Sequence, residues 1–258
     1  MILTMDVGNT NIKTGIYDGR EMVEYVRFST DMYKTSDEYG LMLTQFLNLK
    51  SIGRGQIEAA VMSSVVPSIN FTLEHMCRTY LGFDPLFVGP GVKTGLNIRY
   101  DNPREVGSDR IASAVAAYEL YGGPAIVIDF GTATTFNAVS ADGEFLGGAI
   151  MPGIKLSTEA LVANAAKLPR IELIRPDTVI NRSTVAGMQA GILYGYVGAV
   201  DNIVTLMRAE LGDPAVQVIA TGGMSRLISP ESKTISRVNG SLTLEGLRVI
   251  YERNRKQS

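Results

Sequence analysis

An α/β protein built from two similar nucleotide-binding halves is the fold this sequence predicts, and three observations carry it. An apolar strand running into an acid and a glycine turn occurs twice, as Asp6-Val7-Gly8-Asn9-Thr10-Asn11 and as Asp129-Phe130-Gly131-Thr132-Ala133-Thr134-Thr135. Each turn is followed by hydroxyl and amide side chains, which can donate to a phosphate. Around each turn the same order of strands and helices repeats. One such turn reads equally well as a plain hairpin with an acid ending its strand. Two copies read as a duplication, with a phosphate-holding loop from each half facing one interdomain cleft.

In the first half, residues 2–6, 12–17 and 22–29 form apolar or alternating runs. Gly8-Asn9 and Asp18-Gly19 separate them, as in an antiparallel meander. Helical spacing follows over 36–49 through Tyr39, Leu43, Phe46 and Leu47, with Ser36 as N-cap. Residues 59–66 read as a strand, 67–81 as a helix and 85–88 as a short strand. The stretch 89–105 is rich in glycine and proline and reads as a substrate loop or domain junction. In the second half, 108–121 is an alanine-rich helix and 124–129 a strand. Strands at 134–140 and 144–150 join at Asp142-Gly143, and 152–166 is helical. Residues 184–211 form a long helical stretch interrupted by glycines. A strand at 216–220 runs into Thr221-Gly222-Gly223-Met224. A helix at 242–253 closes the chain, with Leu244, Leu247 and Ile250 or Tyr251 on one face. Three strands, helix, strand, helix, strand is the ribonuclease-H-like unit, and the two domains are expected at 1–106 and 107–258.

Composition narrows the function. Of 258 residues, 45% are hydrophobic and 19% charged, an ordinary folded composition rather than a disordered one. The formal net charge is −2 with no basic block, which argues against nucleic acid as a partner. No apolar run is expected to reach the length of a membrane span, and Met1 opens a strand rather than a leader. The single Cys77 excludes an internal disulfide, so the cytoplasm is the expected compartment. His75 is the one histidine and has no metal-ligand spacing to Cys77, which excludes a histidine triad or a zinc site.

The chemistry then rests on the turns. Glycine lets a phosphate approach backbone N–H groups without a side-chain clash, and Asn9, Thr10 and Asn11 add donors. Lys13 adds a positive charge if it points inward. Asp6 repels a bare polyphosphate and makes sense if Mg²⁺ lies between them through water. Ala220-Thr221-Gly222-Gly223 is a third glycine site where adenosine can lie against bare backbone, although Gly-Gly is also a common turn. In Gly107-Ser108-Asp109-Arg110, Ser108 and Asp109 read as helix caps, or Asp109 reads as the carboxylate that accepts a proton from an acceptor hydroxyl.

Together with Tyr100-Asp101-Asn102-Pro103, Gly147-Gly148-Ala149-Ile150-Met151-Pro152-Gly153, Met188-Gln189-Ala190-Gly191 and Leu242-Thr243-Leu244-Glu245-Gly246-Leu247, these segments resemble the type III pantothenate kinases, in family order along almost the whole chain. That family lies in the superfamily of acetate and sugar kinases, heat-shock-70 chaperones and actin. The resemblance implies transfer of the ATP γ-phosphoryl group to pantothenate, the first step of coenzyme A synthesis. It implies that Asp6, Val7, Gly8, Asn9, Thr10, Asn11, Ile12 and Lys13 hold the ATP phosphates with Mg²⁺. Thr132 joins them from the other half, and Gly222 and Gly223 flank the adenosine. Asp129 matches the ligand of a monovalent cation, K⁺ or NH₄⁺. Asp109 matches the proton acceptor. Gly107, Ser108, Asp109 and Arg110, with Tyr100, match the pantothenate pocket. Thr184 matches a contact across a homodimer interface, so the substrate pocket is expected at that interface. Two other readings stay open: a non-enzymatic regulator of the same fold, and another small-molecule kinase of the superfamily.

Overall fold

The computed structural model describes residues 1–255. Its first strand, β1 (Ile2–Val7), is buried along its whole length, as suits a strand with neighbours on both edges. Leu3, Met5 and Val7 are at most 1% exposed, each contributing about 1.5–3 kcal/mol by leaving water. β2 (Asn11–Asp18) and β3 (Glu21–Ser29) continue it as an antiparallel meander. Helix α1 (Ser36–Leu49) follows, and its N-cap is Thr35 rather than Ser36. Glu38 decides this, because its carboxylate accepts the Thr35 N–H at 2.8 Å while the Thr35 hydroxyl accepts the Glu38 N–H at 3.2 Å.

β4 (Ala59–Ser64) pairs parallel to β1, helix α2 (Asn70–Met76) comes next, and β5 (Leu86–Phe87) pairs parallel to β4. The helix expected over 67–81 is three pieces: a 3₁₀ turn at Pro67–Ile69, α2, and a wider π turn at Cys77–Leu81 that stops at Gly82. Beyond it come β6 (Asn97–Ile98), α3 (Ser108–Tyr121) and a second meander of β7 (Ala125–Phe130), β8 (Ala133–Val139) and β9 (Glu144–Pro152). Then follow α4 (Ile154–Asn164), α5 (Thr184–Leu211), β10 (Gln217–Thr221), α6 (Ser225–Ile228), β11 (Arg237–Val238) and α7 (Leu242–Asn254).

Among the described residues, one sheet has the order β3-β2-β1-β4-β5, and the other repeats it as β9-β8-β7-β10-β11 with β6 added beside β9. The duplication expected from the two turns is therefore present in the strand order itself.

The chain forms two compact units, and they do not follow a linear cut at 106/107. The first holds Met1–Leu96, Asp101–Ala116 and the stretch from Leu242 onward, and the second holds Asn97–Tyr100 and Ala117–Ser241. Packing explains the difference. In the first unit α7 packs on β1, β2 and β4, and Leu244, Leu247 and Ile250 are buried. Gly246 lies so close to the Ala112 carbonyl that no side chain fits, and Ser113 and Thr243 share a hydroxyl hydrogen bond of 2.9 Å. The first half of α3, and Asp109 with it, belongs to the first unit for this reason.

α5 is continuous over its length, with no break at its glycines, and it ends at Gly212 in the left-handed conformation. By length and composition it is apolar enough to cross a bilayer, contrary to the expectation that no run reaches that length. Leu193, Tyr196, Val197, Val200 and Val204 pack into the core of the second unit, which accounts for part of that apolar character.

Candidate active site

In the first unit, the register places Lys13 of β2 opposite Asp6 on one side and Ser63 of β4 opposite it on the other. Both use the position. Lys13 Nζ lies 3.1 Å from Asp6 Oδ2, and the Ser63 hydroxyl donates to Asp6 Oδ1 at 3.0 Å. A carboxylate only 6% exposed needs such partners, since burying an unpaired charge costs several kcal/mol. The ammonium thus points inward and neutralises the acid beside the turn. Gly8 donates its N–H to the Asn11 carbonyl at 3.1 Å, closing the turn and leaving Asn9 and Thr10 exposed. Val7 and Ile12 are fully buried, so what they offer a ligand is backbone.

The start of α3 is fastened to the same sheet. The Ser108 hydroxyl accepts the Ser64 N–H at 3.0 Å and donates to the Ser64 carbonyl at 3.3 Å, and the Val65 N–H donates to the Val7 carbonyl at 3.0 Å. Ser108 therefore ties its helix to β4. Asp109 Oδ1 accepts the N–H of its neighbour Arg110 at 2.8 Å, and the carboxylate lies over Gly107, where a Cβ would collide with it. Arg110 is buried, 8% exposed.

The second unit repeats the turn with different neighbours. Asp129 stands in register with Thr135 of β8 and Thr221 of β10. Its carboxylate lies against Gly222, where φ is +89° and a Cβ would come within 2.6 Å of the Phe130 nitrogen, so no side chain fits. Gly223 is open on its side-chain face. Gly131 donates to the Ala133 carbonyl at 3.1 Å, Gly153 donates to the Thr132 carbonyl at 3.0 Å, and Thr132 itself is exposed. The Tyr196 hydroxyl hydrogen-bonds Thr134 and donates to the Pro152 carbonyl at 3.1 Å, bracing the turn from α5.

Tyr100 packs its ring 6.4 Å from that of Phe145 and against Gly147, whose φ is +99° and whose Cβ would lie 3.2 Å from the ring. The glycine pair at 147 and 148 is thus explained by ring packing and by the crowding of Gly148 on the Phe136 carbonyl. Thr184 is exposed at the first position of α5, where Ser183 caps the helix by accepting the Ala186 N–H at 3.2 Å.

The sequence-predicted residues therefore fall into two groups. Asp6, Val7, Gly8, Asn9, Thr10, Asn11, Ile12 and Lys13 share the first unit with Gly107, Ser108, Asp109 and Arg110. Tyr100, Asp129, Thr132, Thr184, Gly222 and Gly223 lie in the second. Ser63 and Tyr196 were not foreseen. Ser63 reads as a polar residue inside the strand over 59–66, and only its register opposite Asp6 reveals it. Among the described residues no group of three or more His, Cys, Asp and Glu gathers that could cage a metal alone.

Comparison with known proteins gives a consistent result. A family profile described as type III pantothenate kinase matches residues 2–206. The chain is 56% identical over 254 residues to the type III pantothenate kinase of Moorella thermoacetica, covering 98% of this chain and 100% of the relative. It is 57% identical over 256 residues to that of Geobacter sulfurreducens, covering 99% and 100%. Among solved structures it resembles a putative Baf family transcriptional activator from Campylobacter jejuni, with TM-score 0.62, 19% identity and 98% coverage of both chains. It also resembles Ta0583, an archaeal actin homolog, with TM-score 0.54, 14% identity and coverage of 98% and 99%. At such identities the structural likeness speaks for the fold, which is the duplicated α/β architecture of the actin-like proteins.

Proposed function

The chain belongs to the type III pantothenate kinase family, and from that premise we propose how its residues divide the work of ATP-dependent pantothenate phosphorylation in coenzyme A biosynthesis. The reaction needs a held triphosphate, a held alcohol and an acceptor for the alcohol's proton. Residues 6–13 hold the phosphates through turn amides and the Asn9, Thr10 and Asn11 side chains, with Thr132 contributing a further hydroxyl. Gly222 and Gly223 face the adenosine. Asp109 accepts the proton of the primary hydroxyl, late in the transfer, because an aspartate is too weak a base to ionise an alcohol in the ground state. Gly107, Ser108 and Arg110 hold the pantoate end with Tyr100.

A divalent ion fits what is present. Mg²⁺ takes one or two carboxylates together with phosphate oxygens and water, and Asp6, whose oxygens already accept from Lys13 and Ser63, is a single carboxylate beside the phosphate turn that would reach the ion through water. When bound, it neutralises charge that accumulates on the transferring phosphoryl group. Asp129 is a carboxylate that would hold a weakly hydrated K⁺ or NH₄⁺, with Thr135 and Thr221 in register beside it.

A homodimer is part of this reading. On α5, Gly187, Gly191, Gly195 and Gly198 are exposed, and Cβ atoms at these positions would meet nothing within 4 Å in this chain. Such a face lets a second helix approach closely, and Thr184 at the head of α5 would then reach a neighbouring copy's substrate. Cytoplasmic residence fits a chain whose single cysteine, Cys77, is buried and forms no disulfide within the chain.

The observation that carries the reading is the pair of fastenings at the end of β4. Through Ser108 and Val65, the helix bearing Asp109 and the strand bearing Asp6 are tied within one unit. A coupled ADP-release assay across pantothenate, several sugars and acetate, with and without K⁺, tests it. ADP is expected only with pantothenate, Mg²⁺ and a monovalent cation together. Turnover of a sugar or acetate in place of pantothenate would overturn the assignment. Asp109→Asn should slow turnover by roughly 10² to 10⁴ while ATP still binds.

A further inference from the structure

The phosphate turn of the first unit is held from behind by a residue outside it. Thr30, the residue following β3, donates its hydroxyl to the Gly8 carbonyl at 2.6 Å and its N–H to the Thr10 carbonyl at 3.1 Å. Two of the turn's carbonyls are therefore pulled to one side. A peptide unit is planar and trans, so its N–H faces opposite to its C=O. With the Gly8 carbonyl turned to Thr30, the Asn9 N–H faces away from Thr30, and the same bond keeps a repulsive oxygen from swinging toward an anion.

The hold is itself anchored. The Asp31 N–H donates to the Tyr39 hydroxyl at 2.9 Å, and that hydroxyl donates back to the Asp31 carbonyl at 3.0 Å. Tyr39 is 2% exposed on α1, so Thr30 hangs from the core rather than from a free loop.

The second unit supplies a control within the same chain. Asn11 pairs with Ser29 and Ala133 with Pro152, so Gly153 stands where Thr30 stands. Gly153 donates the equivalent N–H bond, to Thr132, and any Cβ there would crowd the Thr132 and Gly131 carbonyls. In that shorter turn the backbone itself closes on the carbonyls. In the longer first turn a hydroxyl fills the gap.

We infer that Thr30 is a positioning residue for nucleotide phosphate binding, aiming the amide of Asn9 by holding the Gly8 carbonyl. This rests on the reading that the turn over 6–13 receives ATP. The test compares wild type, Thr30→Val and Thr30→Ser by calorimetric titration with Mg-ATP in the absence of pantothenate, and by the KM for each substrate. Thr30→Val keeps the shape and the N–H bond but loses the hydroxyl, and should weaken Mg-ATP binding about tenfold. The pantothenate KM should stay within about twofold, and Thr30→Ser should restore ATP affinity. Unaltered ATP affinity in Thr30→Val overturns the inference. So does equal damage in Thr30→Val and Thr30→Ser, or a parallel loss in both KM values, which would mark a merely structural role. A wild type that binds Mg-ATP but ignores pantothenate would sink the substrate reading and leave this inference to the titration. A wild type without ATP affinity would sink both.

Discussion

The two glycine turns have the same strand order behind them and are held by different means. In the first, Val7 pairs with Ile12 and four residues span the turn. In the second, Phe130 pairs with Thr134 and three span it. The longer turn is supported by side chains: Lys13 and Ser63 on its acid and Thr30 on its carbonyls. The shorter is supported by backbone fit, with glycines at 153 and 222 pressed against it and Tyr196 beneath. A duplicated fold thus keeps its strand order while each copy finds its own way to hold the same peptide groups. Side-chain support can be tuned one atom at a time. Backbone fit tolerates almost no change.

That contrast can be broken by substitution. Gly153→Ala should be the most damaging, because the carbonyls it meets cannot move without disturbing the turn. A loss on the order of 3 kcal/mol, read as a lowered urea midpoint at unchanged slope, is expected. Its φ of −66° is ordinary, so a stable Gly153→Ala variant would refute the steric account rather than a conformational one. Next comes Asp129→Ala. On the reading that Asp129 holds the monovalent cation, this variant should lose its response to K⁺ while melting near wild type. A wild-type K⁺ titration curve would place the cation elsewhere. Tyr196→Phe removes the brace under the second turn and should cost about 1 kcal/mol in unfolding, since one hydroxyl and its partners are left unmatched. Gly8→Ala should do least to stability: the nearest atom to its Cβ is the Asn11 carbonyl at 3.2 Å, which can give by tenths of an ångström. A cost there equal to that of Gly153→Ala would mean that the two turns are held alike after all.

Much of this was legible in the sequence, and for physical reasons. Both turns stood out because a buried strand reads as a continuous apolar run and glycine punctuates its end. The bounds of α3 and α5 match the periodic reading, since long amphipathic segments declare themselves. What hid was partnership. Periodicity tells α7 which face is apolar but not which sheet it covers, and a linear cut at 106/107 cannot show that α7 and the first part of α3, to Ala116, group with the first unit. Ser36 and Thr35 are both acceptable caps by residue type, and only Glu38, three residues after Thr35, marks the capping box. β6 and β11, two residues each, are too short to show alternation. Thr30 looks like an ordinary residue after a strand and Ser63 like a polar residue within one, and their work depends on register with distant residues. Asp109 kept two readings in the sequence, and its bond to the Arg110 N–H adds a local hydrogen bond without removing the carboxylate from the list of proton acceptors.

The first unit is written in three pieces, and the last of them is α7. During synthesis, every residue of the second unit has been translated before Leu244, Leu247 and Ile250 exist to cover β1, β2 and β4. The sheet translated first is therefore the one completed last, and its exposed apolar face must be kept from other nascent chains in the interval.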